Sequence, residues 1–336
     1  MMVREGIFAL GDFTLHSGDI LPSASVAWKC YGELNAERSN VVLYPTSYGA
    51  QHSDLDWLIK ADGILDPNRF FVVQINQFGN GLSTSPSHLR DPTPGFNVCH
   101  VDNVRAQERL LREVFSLERI ALVYGWSMGA QQAYHWGVLF PERVEHIAAI
   151  CGTARTSEHN RLFLMSLESA LLADPNWDGE RFTAVPERGF HTFARIYASW
   201  AASQEFYRRR EYLRQGYKDL DDYLTRAWEP FYRKCDALNH LAMLRTWMRN
   251  DVGVVCAGDT AQALQRIRAR TLVMPSTTDL YFTVDDCAAE AALIKQVRFR
   301  PLHSWSGHRA GNPVHNPVDA AAIRLAVQEL LNDSQT

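Results

Sequence analysis

The chain has 336 residues, of which 46% are hydrophobic and 21% charged, with a formal net charge of −4. That length suits a single α/β domain carrying an insertion, and the composition is that of an ordinary globular protein. The near balance of charge leaves no basic footprint for nucleic acid or an anionic membrane. No apolar run approaches the ~18 residues needed to span a bilayer, and no basic segment followed by an apolar core opens the chain. A cytoplasmic protein with no nucleic-acid and no membrane partner is expected.

Two strands are predicted first, Ile7 to Leu15 and Ala24 to Tyr31, joined by the turn residues Gly18-Asp19. Fully apolar runs of the buried-strand kind follow at Asn40 to Tyr44, Arg69 to Ile75, Ile120 to Tyr124 and Ile147 to Gly152. With helical spacing between them, as in Val101 to Phe115, they indicate a mostly parallel sheet covered by helices on both faces. From Thr156 to Asn250 strand-like runs vanish, and Arg161 to Ala173, Phe190 to Trp200 and Leu220 to Arg249 show helical spacing with abundant aromatic residues. Strands resume at Thr271 to Pro275 and Val297 to Leu302, and a closing helix is predicted from Pro317 to Leu331. The expected organisation is a core of residues 1–155 and 251–336, with a helical lid of residues 156–250 inserted in it. The six cysteines lack C-x-x-C spacing and read as reduced, apolar-packed thiols; neither a disulfide frame nor a metal site is indicated.

Chemistry is concentrated at Gly125-Trp126-Ser127-Met128-Gly129, which lies between an apolar strand and a helix-forming stretch. In that setting G-x-S-x-G is a sharp turn that lifts a serine out of the sheet, and its glycines let strand and helix approach. The bland alternative is a serine that caps a helix. A nucleophilic serine needs a base, and the base an orienting acid, in chain order acid then histidine. Asp279 stands just past the strand Thr271 to Pro275. Asp285 and Asp286 are its rivals, although acids at a helix start commonly complement the helix dipole. His308 stands on the last loop, behind Gly307, with His303 and His315 as rivals. His135, eight residues past Ser127, reads as structural. The backbone amide of Met128 and one from Ser47 or Tyr48 are the candidates to meet a developing oxyanion. No cofactor is needed for this chemistry.

The run Leu43 to Gly49, the segment Val73 to Ser87, Asp102 to Gln107, the elbow GWSMGAQQAYHW, Gly152 to Arg155, Asp174-Pro175, Asp279 and Gly307-His308 together resemble the homoserine transacetylase family of α/β-hydrolases. The resemblance implies a Ser-Asp-His triad matching Ser127, Asp279 and His308, a ping-pong acyl-enzyme mechanism, and a homodimer joined through the lid helices. Members that acetylate homoserine usually carry an acid directly after the histidine, where this chain has Arg309. They usually carry an arginine six residues before the Asp-Pro pair, where this chain has Glu168. Both charges are reversed, which disfavours homoserine as an acceptor. Trp126 and the loop Pro45 to Tyr48 look more like the hydrolase branch, which includes ethyl acetate hydrolase-like esterases. The resemblance thus implies hydrolysis of short-chain acyl esters, acetyl esters first, with acetyl transfer from acetyl-CoA to a hydroxyl acceptor as the alternative. The expected partner is a small-molecule acyl ester, and Trp126, Arg309 and Glu168 are the expected residues of its pocket.

Overall fold

The computed structural model describes residues 2–89 and 96–332. Residue 1, residues 90–95 and residues 333–336, which fall within the expected core limits, lie outside the described residues. Eight strands form one sheet: β1 (Val3–Thr14), β2 (Ile20–Tyr31), β3 (Val41–Pro45), β4 (Phe71–Ile75), β5 (Leu122–Trp126), β6 (His146–Ile150), β7 (Arg270–Met274) and β8 (Val297–Phe299). Their spatial order is β1-β2-β4-β3-β5-β6-β7-β8. β1 and β2 form an antiparallel hairpin at one edge, β2 pairs antiparallel with β4, and every other pairing is parallel.

The apolar runs are continuous because both faces of the inner strands are covered. Within β3, Val41 and Leu43 enter one hydrophobic cluster with α1 (His100–Phe115) and α2 (Met128–Leu139), whereas Val42 and Tyr44 enter another with Ile323 and Val327 of the closing helix Pro317–Asn332. This alternation is the two-residue period of a strand. After β3 the chain steps outward to β4 and then returns to pair β5 with β3. In an open α/β sheet that reversal leaves a crevice beyond the carboxyl ends of the two strands, where ligands bind. The loop Thr46 to Tyr48 and the Ser127 turn are the two segments that leave those ends.

Between β6 and β7 the chain adds no strand to the sheet. It forms α3 (Glu158–Leu172), α4 (Glu187–Ala201), several short helices and a helix Ala237–Met248, followed before β7 by the short helix Thr260–Gln265. Entry and exit of this insertion run side by side: Thr156 N–H donates to Asn250 O at 2.9 Å and Val252 N–H to Ala154 O at 3.1 Å. The stretch from Leu220 to Arg249, expected to be continuously helical, is broken. A π turn spans Leu224–Trp228, and a separate helix begins after Asp236, whose carboxylate caps Leu238 N–H at 2.8 Å. Pro230 has no N–H for the carbonyl four residues back, which opens the helix at that point. The last strand ends at Phe299 rather than Leu302. Pro301 cannot donate to the ladder, and only an isolated bridge, Ser276 to Leu302, continues it. No helix among the described residues is long and apolar enough to cross a membrane.

Candidate active site

β5 enters the turn fully buried, and its glycines are a steric necessity. A β-carbon on Gly125 would fall 2.2 Å from Gly129 O, and one on Gly129 would fall 2.8 Å from Pro45 O. Between them Ser127 adopts φ 59° and ψ −126°, a costly conformation for a residue with a side chain. It is held there by its N–H bonding to Ile150 O of the neighbouring strand at 3.1 Å. The side chain is thereby presented at the crevice, directly before the first turn of α2.

Asp279 follows β7 and His308 follows β8, so two adjacent parallel strands deliver them to the same end of the sheet as β5. The geometry closes into one line. Ser127 Oγ lies 2.9 Å from His308 Nε2, and His308 Nδ1 lies 2.8 Å from Asp279 Oδ2. All three side chains are buried. Asp279 Oδ1 accepts the backbone N–H groups of Tyr281 (2.8 Å) and Phe282 (3.3 Å), which fixes the carboxylate before it meets the imidazole. The imidazole is walled by Trp126, stacked at 5.3 Å with 24° between planes, and by the edge of Tyr281 at 4.8 Å. This constellation can move a proton from the serine hydroxyl to the imidazole while the carboxylate steadies the resulting cation.

The rivals lie outside this hydrogen-bonded line. Asp286 belongs to a reciprocal cap: its carboxylate accepts Thr283 Oγ1–H at 2.8 Å and its N–H meets Thr283 Oγ1 at 3.2 Å. Asp285, beside it in the first turn of that helix, is exposed. His303 and His315 are both exposed. His135, within α2, is buried, with Nε2 3.1 Å from Asn250 Oδ1, as its structural reading requires.

The Thr46–Tyr48 loop lies opposite. Ser47 Oγ donates to Trp126 O at 2.6 Å, and Tyr48 stacks on Tyr197 at 5.8 Å. Ser47, Tyr48, Trp126, Ser127, His308 and Arg309 all border one cavity of about 290 Å³, roofed by aromatic residues of the helical insertion such as Tyr197, Trp228 and Tyr232. Met128 is buried at the first position of α2, where a helix leaves its N–H groups without internal partners. Glu168 is a correction to the expected pocket. It does not border this cavity; its carboxylate receives Arg245 Nε–H at 2.7 Å. α3 turns Phe163, Leu164, Leu167 and Leu171 inward, and Glu168 falls off that buried face.

Two supports escaped the sequence reading. Gln77 Nε2 donates to Ser47 O at 3.0 Å, and its own N–H meets Thr46 Oγ1 at 3.0 Å, so the residue just past β4 clamps the loop. Thr278 Oγ1 donates to Ser304 O at 2.8 Å and accepts Gly307 N–H at 3.0 Å, which ties the acid loop to the histidine loop. Their one signal was position: Thr278 directly precedes Asp279, and Gln77 lies inside the segment Val73 to Ser87 that carries part of the resemblance.

Known proteins resemble this chain in sequence and fold. The chain is 38% identical over 305 residues to an ethyl acetate hydrolase of Pseudomonas veronii, covering 89% of this chain and 87% of that protein. It is 30% identical over 336 residues to a homoserine O-succinyltransferase of Hahella chejuensis, covering 88% and 87%. The crystal structure of the acetyl esterase MekB superposes with a TM-score of 0.94 at 35% identity, over 98% of this chain and 97% of that one. The greater likeness to the hydrolases agrees with the branch indicated by Trp126 and the Pro45 to Tyr48 loop. A family model described as the alpha/beta hydrolase fold matches residues 50–302, and the chain belongs to that family.

Proposed function

We propose that the protein is a serine esterase that cleaves short-chain acyl esters, acetyl esters above all, through an acyl-enzyme. The observation that carries this reading is the unbroken line Ser127 Oγ, His308 Nε2, His308 Nδ1, Asp279 Oδ2, with both contacts under 3 Å. His308 takes the hydroxyl proton as Ser127 Oγ attacks the ester carbonyl, and Asp279 holds the imidazole in the tautomer that can accept it. The amide N–H of Met128 and that of Ser47 or Tyr48 receive the oxyanion. Collapse of the tetrahedral intermediate expels the alkoxide, which leaves with the proton from His308. Water then repeats the sequence on the acyl-enzyme and releases the acid.

The names of the relatives, an ethyl acetate hydrolase and an acetyl esterase, support a small acyl group, and a cavity of about 290 Å³ accommodates one. In this reading the helical insertion, residues 156–250, acts as a lid whose aromatic side chains keep water from the bound ester. A second reading, acyl transfer to a hydroxyl acceptor, draws support from the likeness to a homoserine O-succinyltransferase. Arg309 on the cavity wall argues against an acceptor that carries an ammonium group.

The test is Ser127→Ala with p-nitrophenyl acetate. Turnover should vanish while the far-ultraviolet circular dichroism is unchanged, and turnover near the wild-type rate would refute the nucleophile. Incubation with acetyl-CoA and homoserine separates the two readings: efficient formation of O-acetylhomoserine would favour the transferase.

A further inference from the structure

The cavity wall carries one formal charge with no balancing partner among the described residues. Its lining includes two fully charged side chains, Asp54 and Arg309. Asp54 is accounted for: Lys234 Nζ lies 3.6 Å from Oδ1, and Oδ2 accepts Gln51 N–H at 2.9 Å. The Arg309 guanidinium has no hydrogen-bond or ion-pair partner among the described residues. It is only partly exposed, and it shares the cavity with Tyr197, Tyr223 and Tyr232 of the helical insertion. Burial raises the phenol pKa values of Tyr197 and Tyr223, and the positive charge of Arg309 opposes that rise, so its field reaches across the cavity. A planar guanidinium set among aromatic walls is a ready partner for a carboxylate and repels an ammonium.

Position narrows the choice further. Arg309 directly follows His308 on one short turn, Gly307–Gly311. His308 hands its proton to the departing alkoxide, so the wall beside it flanks the alcohol half of the ester. We propose that Arg309 is an anion-binding, specificity-determining residue, and that the preferred substrates are acetyl esters of small hydroxy acids, with the free carboxylate on the alcohol side. This rests on the ester-hydrolase reading above. The reaction balances with water alone: the bond from the acetyl carbon to the leaving oxygen breaks, Ser127 Oγ is acetylated, His308 protonates the hydroxy acid's oxygen, and water releases acetate and restores the serine.

The experiment compares kcat/KM for acetoxyacetate with that for acetoxyacetamide, its uncharged isostere, and for monoethyl succinate with ethyl succinamate, which put the charge on the acyl side. The wild type should favour acetoxyacetate over its amide by about tenfold to a hundredfold, as a charge-assisted contact implies. It should show no such preference in the succinyl pair. The acetoxyacetate preference should collapse in Arg309→Gln, survive in part in Arg309→Lys, and shrink in the wild type as sodium chloride is raised. The salt series keeps the test decisive should a variant fail to fold. Turnover of the amide without preference for the acid overturns this proposal and leaves the esterase reading standing. A preference confined to the succinyl pair overturns the alcohol-side assignment. Failure to cleave any of the four esters while p-nitrophenyl acetate is turned over also overturns this proposal, and failure with p-nitrophenyl acetate as well overturns the esterase reading itself.

Discussion

The α-carbon of Gly307 lies so close to Ser203 that a β-carbon there would fall 2.6 Å from the Ser203 backbone nitrogen. Gly307 also has φ +67°, in the region that favours glycine. The histidine loop is therefore seated against the segment that follows α4, an attachment that Ser203 Oγ reinforces by donating to Trp305 O. Gly307→Ala must push the loop away and carry His308 with it. A displacement on the order of 1 Å costs about a hundredfold in rate. Turnover of p-nitrophenyl acetate should fall by roughly that factor, with the circular dichroism spectrum retained.

Asp279→Asn tests the other end of the line. The amide keeps the shape and can still accept from Tyr281 N–H, but it removes the charge that steadies the imidazolium and can favour the wrong tautomer. The comparable change in a serine protease lowers kcat about 10⁴-fold. Here kcat for p-nitrophenyl acetate should drop by about three to four orders of magnitude while the thermal midpoint changes little.

Gly125→Ala acts on stability first. Its added methyl would sit 2.2 Å from Gly129 O and 2.5 Å from Ala130 N, both backbone atoms that cannot rotate aside. Strand β5 and helix α2 would have to separate in the middle of the core. Urea denaturation should show a loss of about 3 kcal/mol or more, or the variant should accumulate as insoluble protein.

Acid should weaken the fold through three buried histidines. Burial lowers the pKa of His100 to about 3 and those of His135 and His240 to about 4. Each uses Nε2 for one contact, to Gln131 Oε1, Asn250 Oδ1 and Tyr232 O respectively. An unfolded histidine titrates near 6.5, so between about 6.5 and 4 the unfolded chain binds more protons than the folded one. The stability they contribute is complete above about 6.5 and is lost as pH falls through that window. The loss is on the order of 3 kcal/mol for each fully titrated residue. Urea midpoints at pH 7, 6 and 5 measure it, and His135→Gln should flatten the dependence by about a third.

Thiol chemistry should single out one cysteine of six. Burial raises the thiol pKa values of Cys30, Cys151 and Cys287, and pushes those of Cys99 and Cys235 up to about 12. Thiols that stay protonated are poor nucleophiles. Cys256 is partly exposed, 3.7 Å from the Arg266 guanidinium. Ellman's reagent at pH 8 should find one fast equivalent in the native protein, absent in Cys256→Ser, and six in urea.

Much of this was legible before any coordinates. The strands announced themselves as unbroken apolar runs because both faces of the sheet are covered, and the turn at Ser127 was legible because its steric demands admit only glycine at 125 and 129. Asp279 and His308 could be found because chain order and strand ends constrain them. Glu168 could not be placed. Its position relative to Asp174-Pro175 suggested the pocket, but whether a helix residue faces a cavity or a neighbouring helix depends on rotation, and α3 hands Glu168 to Arg245. Gln77 and Thr278 were invisible as supports for a related reason: their hydrogen bonds reach loops distant in sequence, which no local pattern encodes. The π turn at Leu224–Trp228 was in principle readable from Pro230.

The imidazole at 308 follows the hydroxyl at 127 by 181 residues. During synthesis the proposed nucleophile therefore emerges from the ribosome long before the proposed base. In the proposed mechanism a nascent chain that stops short of the β8 loop carries Ser127 as an inert alcohol, because the base it needs has not yet been made.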